Sequence, residues 1–215
     1  MQNQPHVLTK SQQAFFTQLG FTRGRGLYLA GGTALALQIQ HRQSVDFDFY
    51  TSQHFRKGTL ARLFRAHLQK YKLRVVRDID DTFEMNVDPD IHLSCFYYGY
   101  PLLQTPRPIQ GVFTTSLKDV AAMKIIAIAQ RGRRRDFIDI YYLLQKFSLK
   151  EILRFTQEKY SYFDIYYGLR GLLYFEDADN DPDIERSMVF DRTLRWKNVK
   201  HFIINAVKEL QKVAA

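Results

Sequence analysis

The chain has 215 residues, 46% of them hydrophobic, which is enough for one sizeable core and excludes a disordered chain. Lys and Arg number 31 against 22 Asp and Glu, a net charge of +9 that favours a polyanionic partner over solubility alone. A single cysteine, Cys95, excludes an intramolecular disulfide and suits a reducing cytoplasm; it sits in an apolar run and reads as a packing residue. The first ten residues lack the apolar core of a signal peptide, and no apolar run reaches the ~18 residues of a membrane span, so a soluble, cytoplasmic protein without a membrane partner is expected.

In chain order, residues 10–19 read as a helix with Ala14, Phe15 and Leu19 near one face. Residues 27–30 read as a short strand running into Gly31-Gly32, after which Thr33 is placed to N-cap a helix over 34–40. Strict alternation over 45–49 predicts a strand, and 59–70 an amphipathic helix. Three further strands are expected at 73–76, 83–87 and 91–98. The last two should form an antiparallel hairpin around Asp88-Pro89-Asp90. From Ser116 the pattern turns helical. Ser116-Leu117-Lys118-Asp119 matches a capping box at the head of a helix over 117–129, and further helices are expected at 136–145, 149–160, 163–174 and 196–213. The acidic, proline-containing stretch 176–183 reads as a loop. The chain therefore divides into an α/β half, 1–115, and a helical half, 116–215.

Side chains alternate across a strand, so Asp46 and Asp48 share one face while Val45, Phe47 and Phe49 take the other. Carboxylates two positions apart lie roughly 7 Å apart at the backbone and can converge on a cation. Such a pair suits Mg²⁺ (or Mn²⁺), which leaves its other positions to water and substrate phosphates. A solvated polar strand face would look the same. What separates the two readings is Gly31-Gly32-Thr33, thirteen residues upstream, where a backbone can approach a phosphate closely.

On the helix over 117–129, Lys124 falls among apolar residues on every side, and a buried lysine needs a partner. A carboxylate and a triphosphate both remain open. Asp136 and Asp139 share a face with Ile140 and Leu143 and point inward; an ordinary N-terminal helix acid is an equal reading for Asp136. Arg131, Arg133, Arg134 and Arg135 are candidate contacts to RNA phosphates or to a nucleotide tail, with a solvated loop as competitor for Arg133 and Arg134.

Residues 29–37 (Leu-Ala-Gly-Gly-Thr-Ala-Leu-Ala-Leu) with 41–50, through Ser44, Asp46 and Asp48, resemble the first motif of the AbiEii/AbiGii toxin family. Leu117-Lys118-Asp119 through Lys124 and Ala127 resembles the second, and 135–141 the third, so the likeness spans roughly 27–145. The resemblance implies an α+β fold: a DNA polymerase β-like nucleotidyltransferase core, a mixed sheet flanked by helices, followed by a helical C-terminal lobe. It implies an enzyme that transfers a nucleoside monophosphate from an NTP to an acceptor hydroxyl, as the toxin of a toxin–antitoxin or phage-defence system. Some members act on the tRNA acceptor end, and the toxins pair with a separately encoded antitoxin. By motif match, Gly31, Gly32 and Thr33 would border the triphosphate with Arg42 and Ser44 in support. Asp46 and Asp48 would hold the metal, Lys124 would contact the phosphates, and Asp139 or Asp136 would complete the catalytic set. The strand at 91–98 lacks the third carboxylate that polymerase β-like enzymes often carry. Either the third-motif acid stands in for it, or the chain is an inactive nucleotide- or RNA-binding module. Transfer to a protein or a small molecule stays open beside transfer to tRNA.

Overall fold

The computed structural model describes residues 6–88 and 90–214. The strands are β1 (Tyr28–Leu29), β2 (Asp46–Thr51), β3 (Leu73–Ile79), β4 (Thr82–Val87), β5 (Ile91–Tyr97), β6 (Arg107–Ile109) and β7 (Val112–Thr114). They form one mixed sheet in the order β3-β4-β5-β2-β1-β7-β6. β2 runs parallel to β5 and β1 parallel to β7; the other neighbours are antiparallel. The helices are α1 (Lys10–Phe16), α2 (Gly31–Ile39), α3 (Thr59–His67), α4 (Leu117–Arg131), α5 (Arg134–Leu143), α6 (Leu149–Lys159), α7 (Ile165–Leu173), α8 (Glu176–Asp179) and α9 (Trp196–Ala214). The architecture is the expected one: a mixed sheet with flanking helices, and helices from residue 117 onward.

The sheet has one apolar and one polar face. Phe47, Phe49, Phe83, Met85, Leu93 and Cys95 are fully buried on the first, where Phe15 and Phe16 of α1 pack on Phe47 and Phe64 of α3 stacks on Phe83. Burial pushes the Cys95 thiol well above its usual range, which fits its packing role. Asp46, Asp48 and Tyr50 stand on the other face, as period-two alternation requires. No helix among the described residues is long and apolar enough to cross a membrane.

Several local expectations are corrected. Thr33 does not cap α2. The helix starts three residues earlier, with Ala30 as its extended N-cap, and the Thr33 hydroxyl bonds the Asp46 carbonyl and Ser44. The first helix stops at Phe16 and a 3-10 turn, Leu19–Arg25, follows. The hairpin between β4 and β5 forms, although Pro89 of its turn lies outside the described residues. Ser116 caps α4 by accepting from the Asp119 N–H, but the reciprocal bond of a capping box is missing. The Asp119 carboxylate is taken by the Lys159 ammonium at 2.8 Å, the Leu103 and Gln104 amides and the Ser116 hydroxyl. The stretch 176–183, expected as a loop, contains the single-turn α8. β6 and β7, three residues each, were not foreseen.

Candidate active site

The turn from β1 into α2 builds one wall of the site. The Ala30 N–H donates to the Asp48 carbonyl, carrying the β1–β2 ladder one residue past the strand. Gly31 then takes φ +64°, a conformation a side chain would strain, and a Cβ there would stand 3.3 Å from an Asp48 carboxylate oxygen. At Gly32 a Cβ would meet an Arg42 guanidinium nitrogen at 2.4 Å. Two adjacent glycines therefore let the head of α2 lie against Asp48 and Arg42 at once. The first-turn N–H groups of α2 are the kind of donors that hold phosphate.

Arg42 is buried and cannot turn aside. Its Nε and Nη2 donate to both oxygens of Asp139, at 2.8 and 3.0 Å, in the bidentate geometry that fixes a guanidinium plane. Lys124 places its ammonium 2.6 Å from Asp136 and 2.6 Å from Asp139. Carboxylates are thus the partners of Lys124 in this structure, and Lys124 also lines the cleft that holds Asp48. His41 Nε2 lies 2.6 Å from Asp139, and its buried Nδ1 finds no partner among the described residues. Burial lowers the His41 pKa despite the nearby carboxylate, which favours the neutral ring. Burial opposes ionisation of Asp139, but Arg42, Lys124 and the His41 hydrogen bond hold its carboxyl well below the usual range. Asp136 and Asp139 have no exposed surface. Through these contacts they fix the side chains of Arg42 and Lys124.

Asp46 and Asp48 line an open cleft of about 1190 Å³ together with the head of α2, Lys124 and Tyr50. Burial raises the Asp48 pKa, a 2.6 Å hydrogen bond from the Ser94 hydroxyl opposes the rise, and the Asp46 charge adds to it. A carboxylate made hard to ionise by burial and a like charge is the arrangement a cation relieves. No cluster of three or more His, Cys, Asp or Glu exists among the described residues that could enclose a metal. Two carboxylates in an open cleft fit Mg²⁺, which keeps water and substrate oxygens in its shell, better than a metal that needs a full protein cage.

Sequence reasoning missed three contributors. Ser94 meets Asp48 only through the parallel pairing of β2 with β5, where Asp48 stands opposite Ser94. His41 gave no signal beyond lying in a matched motif. The segment between α8 and α9, which includes a 3-10 turn Ile184–Ser187, lies along the cleft. Val189 forms a bridge with Arg42, and the Phe190 N–H donates to the His41 carbonyl. The arginine run divides. Arg133 pairs with Asp181 at 2.9 Å and Asp183 at 3.7 Å. Arg134 donates to the Ala178 and Asp179 carbonyls and lies over Trp196. Arg131 is exposed, 3.4 Å from Asp136, and Arg135 lines the cleft half-buried.

The family described as nucleotidyl transferase AbiEii toxin, type IV toxin–antitoxin system, matches residues 22–105 and 98–201. The uncharacterized protein aq_aa25 of Aquifex aeolicus is 37% identical over 191 residues, 85% of this chain and 86% of that protein. Among solved structures, the nucleotidyltransferase toxin MenT4 of Mycobacterium tuberculosis superposes with a TM-score of 0.61 at 14% identity, over 91% of this chain and 82% of that one. JHP933 of Helicobacter pylori superposes at 0.55 with 14% identity and 96% of each chain. At these identities the superpositions speak for the fold.

Proposed function

The chain belongs to the AbiEii nucleotidyltransferase toxin family, and from that premise we propose that it moves a nucleoside monophosphate from an NTP to the terminal hydroxyl of an RNA, with tRNA as the preferred acceptor. The observation that carries the reading is Asp46 and Asp48 on one strand face, against a helix head opened by Gly31-Gly32. In the proposed reaction the acceptor hydroxyl gives its proton to solvent as its oxygen bonds to the α-phosphorus, the bond from that phosphorus to the bridging oxygen breaks, and pyrophosphate leaves. Asp46 and Asp48 would hold Mg²⁺ (or Mn²⁺), which supplies positive charge to the reacting phosphate. The N–H groups of Gly31, Gly32 and Thr33 cradle the distal phosphates. Lys124, at the cleft edge, offsets their charge. Asp139 and Asp136 act as positioning residues: they fix Lys124 and Arg42, and Arg42 in turn sits against Gly32. Ser44 holds Thr33, and through it the register of α2 on β2. The setting proposed is a cytoplasmic toxin–antitoxin or phage-defence pair, with a separately encoded antitoxin as protein partner.

The test is incubation of the purified protein with each α-³²P-labelled NTP, Mg²⁺ and total bacterial RNA or lysate protein, beside Asp46→Ala. Label in a tRNA-sized band that vanishes in the folded variant is the expected result. Equal labelling by Asp46→Ala would remove the carboxylates from the chemistry; label in protein or in a small molecule would replace the acceptor.

A further inference from the structure

The basic excess is concentrated in one place. Residues 56–77 carry eight Lys and Arg and no Asp or Glu, against a net charge of +9 for the whole chain. All eight side chains are exposed. Among the described residues only Arg77 of the eight forms an ion pair, a loose 3.8 Å contact with Glu84. The arginine run at 131–135, by contrast, is largely spent on Asp136, Asp181 and Asp183.

Register connects part of this basic flank to the candidate active site. Asp46 stands opposite His92, His92 opposite Asn86, and Asn86 opposite Arg74. Asp48 stands opposite Ser94, Ser94 opposite Glu84, and Glu84 opposite Arg77. Directly paired residues share a sheet face, so two polar rows run from the carboxylates to the edge strand β3. Contacts along the rows agree: Ser94 donates to Asp48 at 2.6 Å, and His92 Nδ1 lies 2.9 Å from Asn86. Strict alternation would put Arg74 and Arg77, three apart, on opposite faces. A register shift between Val75 and Arg77 places Val76 as an extra residue and turns Arg77 to the carboxylate face. A third row starts with Tyr50 opposite Phe96, rings 5.9 Å apart, next to Tyr98. These rings are half-buried and packed on one another, so they border the rows, and the cations carry the interaction: the phosphates of a single-stranded nucleic acid meet such charges.

The geometry points to this face as the docking track of an RNA strand, with its 3′ end at Asp46 and Asp48 and its upstream phosphates on Arg74 and Arg77. Three strand spacings, roughly 14 Å, separate β2 from β3. This inference rests on the nucleotidyl-transfer reading for its direction, since the end with the accepting hydroxyl must lie at the carboxylates. The bulge is the device that gives the track two cations in place of one. Glu84 lies in the path between Ser94 and Arg77 and weakens it.

The test is fluorescence anisotropy with a labelled single-stranded RNA oligonucleotide, without NTP, over a series of salt concentrations. Arg74→Ala/Arg77→Ala should weaken binding and reduce the log–log salt slope by about 1.4, two phosphate contacts at ~0.7 each. Lys150→Ala/Arg154→Ala, which removes the same charge from α6, should leave the slope unchanged. Glu84→Gln should tighten binding. An unchanged slope in the Arg74/Arg77 variant, an equal loss in the α6 variant, or no tightening by Glu84→Gln would overturn the track. Melting curves keep a folding defect apart from a binding defect, and Arg74→Lys/Arg77→Lys should restore most of the slope. The readout needs no catalysis. Label transfer to protein with intact RNA binding would therefore sink the acceptor reading alone, and transfer to RNA with an unaffected Arg74/Arg77 variant would sink the track alone.

Discussion

Gly32 shows how little freedom the site leaves a single residue. A Cβ at 2.4 Å from the Arg42 guanidinium would ordinarily be accommodated by swinging the side chain away. Here Arg42 is held by two hydrogen bonds to a buried Asp139, so the strain passes to the head of α2. Gly32→Ala should cost about 1–3 kcal/mol, the usual penalty for overpacking a fixed interior, and should weaken NTP binding. Gly24→Ala, where nothing lies within 4 Å, is the control and should melt like the parent. A thermal melt and an NTP titration check both, and a Gly32→Ala protein indistinguishable from the control would show that Arg42 is not fixed. The glycine pair and the two strand carboxylates were legible because each depends on local rules: glycine punctuation and period-two alternation. Ser94 was not, because its meeting with Asp48 depends on a pairing 46 residues apart that only topology reveals.

Between elements, α2, α4 and α5 are tied together by ionic contacts as well as by packing. Lys124 from α4 and Arg42 from the chain after α2 converge on Asp136 and Asp139 of α5. Removing one member leaves buried charge unpaired, which costs about 3–5 kcal/mol. Asp139→Asn should therefore lower stability by that order at neutral pH. The pH dependence has a defined sign. The Asp139 carboxyl is held well below its ordinary value in the folded chain, so its stabilisation is present above the unfolded-state value and is lost as pH falls through the folded one. The denaturation curves of parent and variant should differ most at neutral pH and converge on acidification. A gap that persists to strongly acidic pH would assign the loss to packing. Helical periodicity exposed Lys124 and the inward acids in the sequence, but not their mutual pairing. The same periodicity could not register β6 and β7, which are too short to show a pattern. α8 is a single turn whose acids disguised it as a loop.

On the scale of the molecule, the sequence-level charge was informative in amount and misleading in place. The arginine run at 131–135 drew attention because it is contiguous, yet the acidic stretch at 177–183 folds back on it. The dispersed cations of 56–77 are less fully met: among the described residues Arg77 pairs loosely with Glu84 at 3.8 Å, and Asp78 and Asp80 accept from the Gly58 and Lys57 backbone N–H groups. A second long-range feature is the segment between α8 and α9. It belongs to the helical half and reaches the sheet half at His41 and Arg42, through the Phe190 hydrogen bond and the Val189 bridge. Met188 is 70% exposed, so the segment offers a protease a target anchored by few backbone bonds. Limited proteolysis should cut the apo protein there first. Because the same segment lines the cleft, a bound nucleotide should protect it: with NTP and Mg²⁺ at ten times the dissociation constant, the empty form falls to about one in eleven, and cleavage should slow about tenfold. Asp46→Ala, cut at the apo rate whether or not NTP is present, would tie the protection to nucleotide held at the carboxylates. Equal cutting of the parent with and without NTP would separate the segment from the nucleotide site, and would leave Val189 and Phe190 with a purely architectural part in joining the two halves of the chain.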